Sequence, residues 1–194
     1  LTRSGLPVDE NRVVLDTDFI SGITDYRDGD SSDLFRRVFQ TLGKVPVVHS
    51  FIADNELIHN PVAQALLREG FVQSISCTEL SVPDGMDGEA EYRGMFESMY
   101  QRIKNEPLSA HINIFARNAG KSFGEIHSIL LATELGIPLF YSNDSDAKTA
   151  AKAYPRGRLT IMNAEDVAEQ LIDTDLITGK ERKFIRNYYQ RKRH

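Results

Sequence analysis

Apolar residues recur along this chain at two periods, and the two alternate. Val13-Val-Leu15 is a short β-branched-rich run that ends at Asp16 and reads as a first strand. Leu34, Phe35, Val38 and Leu42 fall at helical spacing behind Ser32 or Asp33, either of which suits an N-cap. Val45 to His49 is extended, and Pro46 places it at a strand start or edge. Asp54 or Asn55 is expected to cap a helix that carries Glu56, with Pro61 kinking or restarting it before Ala63–Glu69. Phe71 to Ile75 alternates as a strand does. The strongest helical stripe is Tyr92, Met95, Phe96, Met99, Tyr100 and Ile103 within Glu89–Lys104, and it reads as core. Ile126, Ile129, Leu130, Thr133 and Ile137 form a second stripe that Gly136 and Pro138 end. Pro138 to Tyr141 is a buried strand, Ala147 to Tyr154 a helix, and Leu159 to Met162 a last strand. Asn163 caps a helix through Ile172, and Thr178-Gly-Lys-Glu181 is a capping box that opens a terminal helix. Strands alternating with helices predict an α/β fold, three-layer α/β/α with a mostly parallel central sheet.

The segments left over read as loops. Thr24 to Ser32, rich in Asp and Gly, looks mobile; 76–88 is loop-like, and 107–122 is a long connector. The 194 residues suffice for one domain with a substantial core, without repeats, low-complexity tracts or a clear second domain. The single cysteine, Cys77, rules out an internal disulfide and suits a reducing, cytoplasmic setting. No apolar run reaches membrane-helix length, and the first twelve residues lack the apolar centre of a signal peptide. Starting with Leu1 fits a piece trimmed or cut from a longer protein.

Charge changes the picture. The chain carries a formal −5, yet Lys180, Arg182, Lys183, Arg186, Arg191, Lys192 and Arg193 face a single acid, Glu181, in the last stretch. An acidic body with a basic tail suggests a polyanionic partner, with a solvated helix end as the plainer alternative. The five histidines and Cys77 lack metal-ligand spacing, and no Gly-rich phosphate loop is present.

The candidate chemistry lies in the carboxylates. Asp16 ends the first strand, Glu56 lies on the helix after the second extended segment, Glu125 opens the central helix, and Asp144, with Asp146 as second choice, follows the central strand. The C-terminal edge of an open α/β sheet is where ligands bind. Oxygen donors of this kind suit Mg²⁺ or Mn²⁺. Paired ions about 3.5–4 Å apart can activate water and stabilise both oxygens of a phosphodiester displacement. Each acid also has a structural alternative. Ser122-x-x-Glu125 is itself a capping box, Asp144 a helix cap, Asp16 a turn residue and Glu56 a solvated helix residue. Arg117, Lys121, Lys148, Arg156 and Arg158 are candidate phosphate contacts. Tyr188 and Tyr189 could stack on bases, or pack the terminal helix with Phe184 and Ile185.

The segments LDTDFI (15–20), VVHSFIADNEL (47–57), GEIHSILLATELGIPLF (124–140) and SNDSDAK (142–148), in that order, resemble a PIN domain over most of 13–162. The resemblance implies a Mg²⁺- or Mn²⁺-dependent ribonuclease with Asp16, Glu56, Glu125 and Asp144 as its acids. Thr17, Asp18 and Asn143 are placed as supporting residues. Three features depart from the family pattern: Glu125 where Asp is common, a long helical insertion at about 84–121, and C-terminal helices at 163–194, within the same domain, whose last helix lies beyond the likeness. Single-stranded RNA is the expected partner. An antitoxin, as in a toxin–antitoxin pair, another regulatory protein, or a homodimer is left open. Two other readings stand beside it: an inactive PIN-like binding module for RNA or protein, and a haloacid-dehalogenase-type phosphatase using Asp16 and Asp18 with Ser76 or Thr78 and Asp144 in support.

Overall fold

The computed structural model describes residues 8–77, 88–117, 120, 122–153 and 159–191. Five strands, β1 (Arg12–Leu15), β2 (Val45–His49), β3 (Gln73–Ile75), β4 (Leu139–Tyr141) and β5 (Thr160–Met162), pair in parallel in the order β3-β2-β1-β4-β5. β1 is central, and Val13, Val14 and Leu15 are wholly buried. A parallel sheet covered on both faces requires such unbroken apolar runs.

Helices divide into two groups around the sheet. α1 (Thr17–Thr24), α2 (Ser31–Leu42) and α3 (Pro61–Arg68) pack together, joined by α8 (Gly179–Arg191), against which α7 (Ala164–Gln170) lies. α4 (Gly88–Lys104), α5 (Phe123–Leu135) and α6 (Ser145–Ala153) form the other group. This is the α/β/α arrangement that the alternating pattern predicts. α5 is buried nearly all round, from Phe123 and Gly124 through Ile126–Ala132. Each of its Ile and Leu side chains contributes about 1.5–3 kcal/mol relative to exposure. The α4 stripe is core, with Tyr92, Phe96 and Met99 buried and Met95, Tyr100 and Ile103 packed against them.

Several local expectations are corrected. The first residues after β1 are helical: Asp16 caps α1 by accepting from the Phe19 amide at 2.7 Å, and Phe19, Ile20 and Ile23 face the core. Thr24 therefore ends a helix, and Ser31 and Ser32 open α2, leaving 25–30 as the loop. Asp30, not Ser32 or Asp33, caps α2 by accepting from the amides of Ser32 and Asp33. Asp54 and Asn55 cap no helix; they lie inside a π-helical turn, Ile52–Glu56, and α3 restarts at Pro61 under an Asn60 cap. Ser122 makes no capping bond, because its backbone is left-handed (φ 67°) and its hydroxyl accepts from Lys104 Nζ at 3.1 Å. The Thr178–Glu181 and Asn163–Asp166 capping boxes are present, so the chain signals its last two helix starts correctly.

Candidate active site

The strand order creates the site. β1 and β4 are neighbours, yet the chain visits β2 and β3 between them, and α1 and α6 leave their ends toward opposite helix groups. Such a reversal opens a crevice at the carboxyl ends of the two strands. The pairing of Leu15 with Tyr141, continued by the Asp16 amide donating to the Tyr141 carbonyl at 3.1 Å, sets Asp16 beside Ser142.

A cavity of about 230 Å³ occupies this crevice, lined by Asp16, Thr17, Asp18, Ile52, Glu56, Gly124, Glu125 and Asp144. The four acids read from the sequence thus converge from β1, the π turn, α5 and the β4–α6 junction, and Asp18 on α1 makes a fifth. Among the described residues that line it, none carries a cationic side chain.

Each acid is held differently. Asp16 is 5% exposed; one carboxylate oxygen caps α1 and the other accepts from the Ser142 hydroxyl. Burial pushes its carboxyl up to about 7, against those two bonds, with Asp18 and Glu125 adding like charge. Burial also raises Glu56; a hydrogen bond from the Thr17 hydroxyl opposes the rise and Asp18 adds to it. Gly124 leaves room for the Glu56 carboxylate, since a Cβ there would lie 2.5 Å from Oε1. The Asp144 amide donates to Ser142 Oγ at 3.1 Å, so one hydroxyl ties together the ends of β1 and β4.

The other anticipated residues are placed less centrally. Asn143 accepts from the Ala164 amide at 2.8 Å and braces the start of α7 instead of lining the cavity. Arg117 is exposed and its guanidinium donates to His59 Nε2 at 2.8 Å, while Lys148 is exposed on α6. Tyr188 is a packing residue, 5% exposed with its ring against Gly22, and does not offer a face for base stacking. The Asp146 and Tyr189 side chains, Lys121, Arg156, Arg158, Thr78 and the last three residues lie outside the described residues.

Sequence reasoning missed Ser142 and Gly124 as site residues. The only signals were a serine directly after the central strand and a glycine directly before a helical acid; neither names a partner so distant in sequence.

The side-chain donors that the described lining residues offer are oxygens, which suit a hard divalent ion by donor chemistry and by charge. Among the described residues, however, no group of three or more His, Cys, Asp or Glu side chains is drawn together closely enough to hold a metal ion as it stands. Asp16, Glu125 and Asp144 line one wall-to-wall space without forming a closed cage. Also among the described residues, no helix is long and apolar enough to cross a membrane. Comparison with known proteins finds no matching family model, no matching curated protein and no matching solved structure.

Proposed function

We propose that the chain is a metal-dependent ribonuclease of PIN type, cutting RNA by hydrolysis to leave 5′-phosphate and 3′-hydroxyl ends. The observation that carries this is the convergence of five carboxylates, drawn from separate elements, on one cavity at the strand-order reversal. Asp16, Glu125 and Asp144 are the ligands, directly or through water. A bound Mg²⁺ or Mn²⁺ supplies a lowered pKa for the attacking water and offsets charge at the phosphoryl oxygens. The Ser142 hydroxyl holds Asp16 in place, and the Thr17 hydroxyl holds Glu56. The raised proton affinity of Asp16 and Glu56 matches a site whose acids are relieved by an incoming cation.

RNA as the substrate rests on the likeness of LDTDFI, VVHSFIADNEL, GEIHSILLATELGIPLF and SNDSDAK to PIN domains. An acidic cavity repels a polyanion, so cations outside it must hold the backbone. Arg117 and Lys148, both exposed, supply that charge in this reading.

Cleavage of 5′-labelled single-stranded RNA in Mn²⁺, Mg²⁺ or EDTA, with wild type beside Asp144→Asn, tests the proposal. Metal-dependent cutting by wild type alone is the expected result. Equal cutting by the variant, or none by wild type on single-stranded and structured RNA alike, overturns it in favour of a binding module.

A further inference from the structure

Helix α4 meets the elements that carry Glu56 and Glu125 through one buried side chain. Tyr92 of α4 is wholly buried, and its hydroxyl lies 3.2 Å from His49 Nε2 and 2.7 Å from His127 Nδ1. The outer nitrogens of both imidazoles are also engaged: His49 Nδ1 meets the Phe51 amide at 2.9 Å, and His127 Nε2 meets the Ile114 carbonyl at 2.9 Å.

These four contacts fix where every proton sits. An amide can only donate, so His49 Nδ1 is bare and a neutral His49 carries its proton on Nε2. A carbonyl can only accept, so His127 carries its proton on Nε2. Tyr92 then accepts from His49 and donates its single proton to His127 Nδ1. The result is one directed chain: His49 Nε2–H to Tyr92, Tyr92 O–H to His127, His127 Nε2–H to Ile114. It is fully satisfied only with both imidazoles neutral, and burial lowers the pKa of each.

The chain joins the two elements that bring Glu56 and Glu125 together. His49 ends β2, and Phe51, whose amide it receives, is the residue before the π turn that carries Glu56. His127 stands in α5 shortly after Gly124, on which the Glu56 carboxylate is seated, and Glu125. The rings stack across this junction, with centroids 4.5 Å apart for His49 and His127 and 4.7 Å for Phe51 and His127. Stacking alone leaves rings free to slide; a directed hydrogen-bond chain fixes their orientation.

We infer that Tyr92 is a positioning residue: its hydroxyl locks the π turn to the start of α5 and so sets Glu56 against Glu125, making helix α4 part of the site's framework. The functional consequence rests on the ribonuclease reading; the positioning itself does not.

Two measurements test it on the full chain. Imidazole ¹⁵N shifts of wild type should show His49 and His127 both protonated on Nε2; a proton on Nδ1 of either overturns the directed chain. Tyr92→Phe, which keeps the ring, should exchange the amide hydrogens of Leu57 and Ile126 about 10-fold faster while those of Thr160 and Ser142, in β5 and after β4, keep their rates. Uniform acceleration, or none, overturns the positioning role and leaves Tyr92 a packing residue. In Mn²⁺, the same variant should lose about 10-fold in kcat with KM for RNA unchanged. An unchanged kcat overturns the link to catalysis. A wild type that cuts nothing refutes the ribonuclease reading, while the exchange rates still decide the positioning.

Discussion

Asp16 and Glu181 are buried to nearly the same degree, 5% and 7% exposed, and their carboxyl groups move in opposite directions. Glu181 accepts from Arg37 Nη2 at 2.7 Å and from the Thr178 amide and hydroxyl, each at 2.8 Å, and the Arg37 bond leads its fall to about 2. Asp16 has a hydroxyl and one amide as partners, and acids as neighbours, so burial takes it up to about 7. One acid has its cation built in, and it joins α8 to α2. Among the described residues that line its cavity the other meets no cation, and the metal-site proposal builds on that difference. Burial alone therefore does not set the direction in which a carboxyl shifts; the charge facing it does.

That contrast can be tested by exchanging what each acid faces. Asp144→Asn and Asp16→Asn should each lower metal-dependent RNA cleavage by more than about 100-fold, beyond the usual cost of changing an outer-shell residue. Initial rates at saturating Mn²⁺ measure this, and retained cutting by either variant breaks the assignment. Arg37→Ala strands Glu181 and should cost about 2–3 kcal/mol of stability, read as a lower urea midpoint, with cleavage per folded molecule unchanged.

The pH dependence of the two acids has opposite signs. Glu181 is depressed, so its contribution is complete above the ordinary 4.5 and is lost as pH falls through about 2. Wild type should lose stability over that window faster than Arg37→Ala. Asp16 is raised, so its cost is absent below 3.8 and grows as pH rises to about 7. In EDTA at pH 8, Asp16→Asn should melt higher than wild type, by about 2–4 °C for each 1 kcal/mol recovered. A lower melting temperature would place Asp16 with Glu181 as a structural acid.

A smaller effect should come from Gly124→Ala. The new methyl displaces the Glu56 carboxylate, not backbone, so stability should stay within about 1 kcal/mol of wild type while cleavage falls about 10-fold. Equal activity would show that Glu56 works from another position.

The sequence by itself determined the class of fold and the chain positions of the acids. Short apolar runs make strands and the i, i+3, i+4 stripes make helices, so 13–15, 45–49, 92–103 and 126–137 declare themselves locally. Asp16 was legible because it directly follows such a run, and Asp144 because it lies in the short polar turn after the run 138–141. α1 was missed because its cap, Asp16, was read as the end of a strand, although Phe19, Ile20 and Ile23 already held the spacing. Only the tertiary structure decided that β4 lies beside β1, since strand order depends on crossovers and not on any local period. That neighbourhood lets Ser142 bond Asp16 across 126 residues of chain. The same packing seats Glu56 on Gly124, puts Tyr188 on Gly22, and sets Tyr92 between two histidines that no sequence spacing connects. Periodicity is a property of a few successive residues, whereas the charge and hydrogen-bond partners of a buried group are set by whatever the fold brings to it.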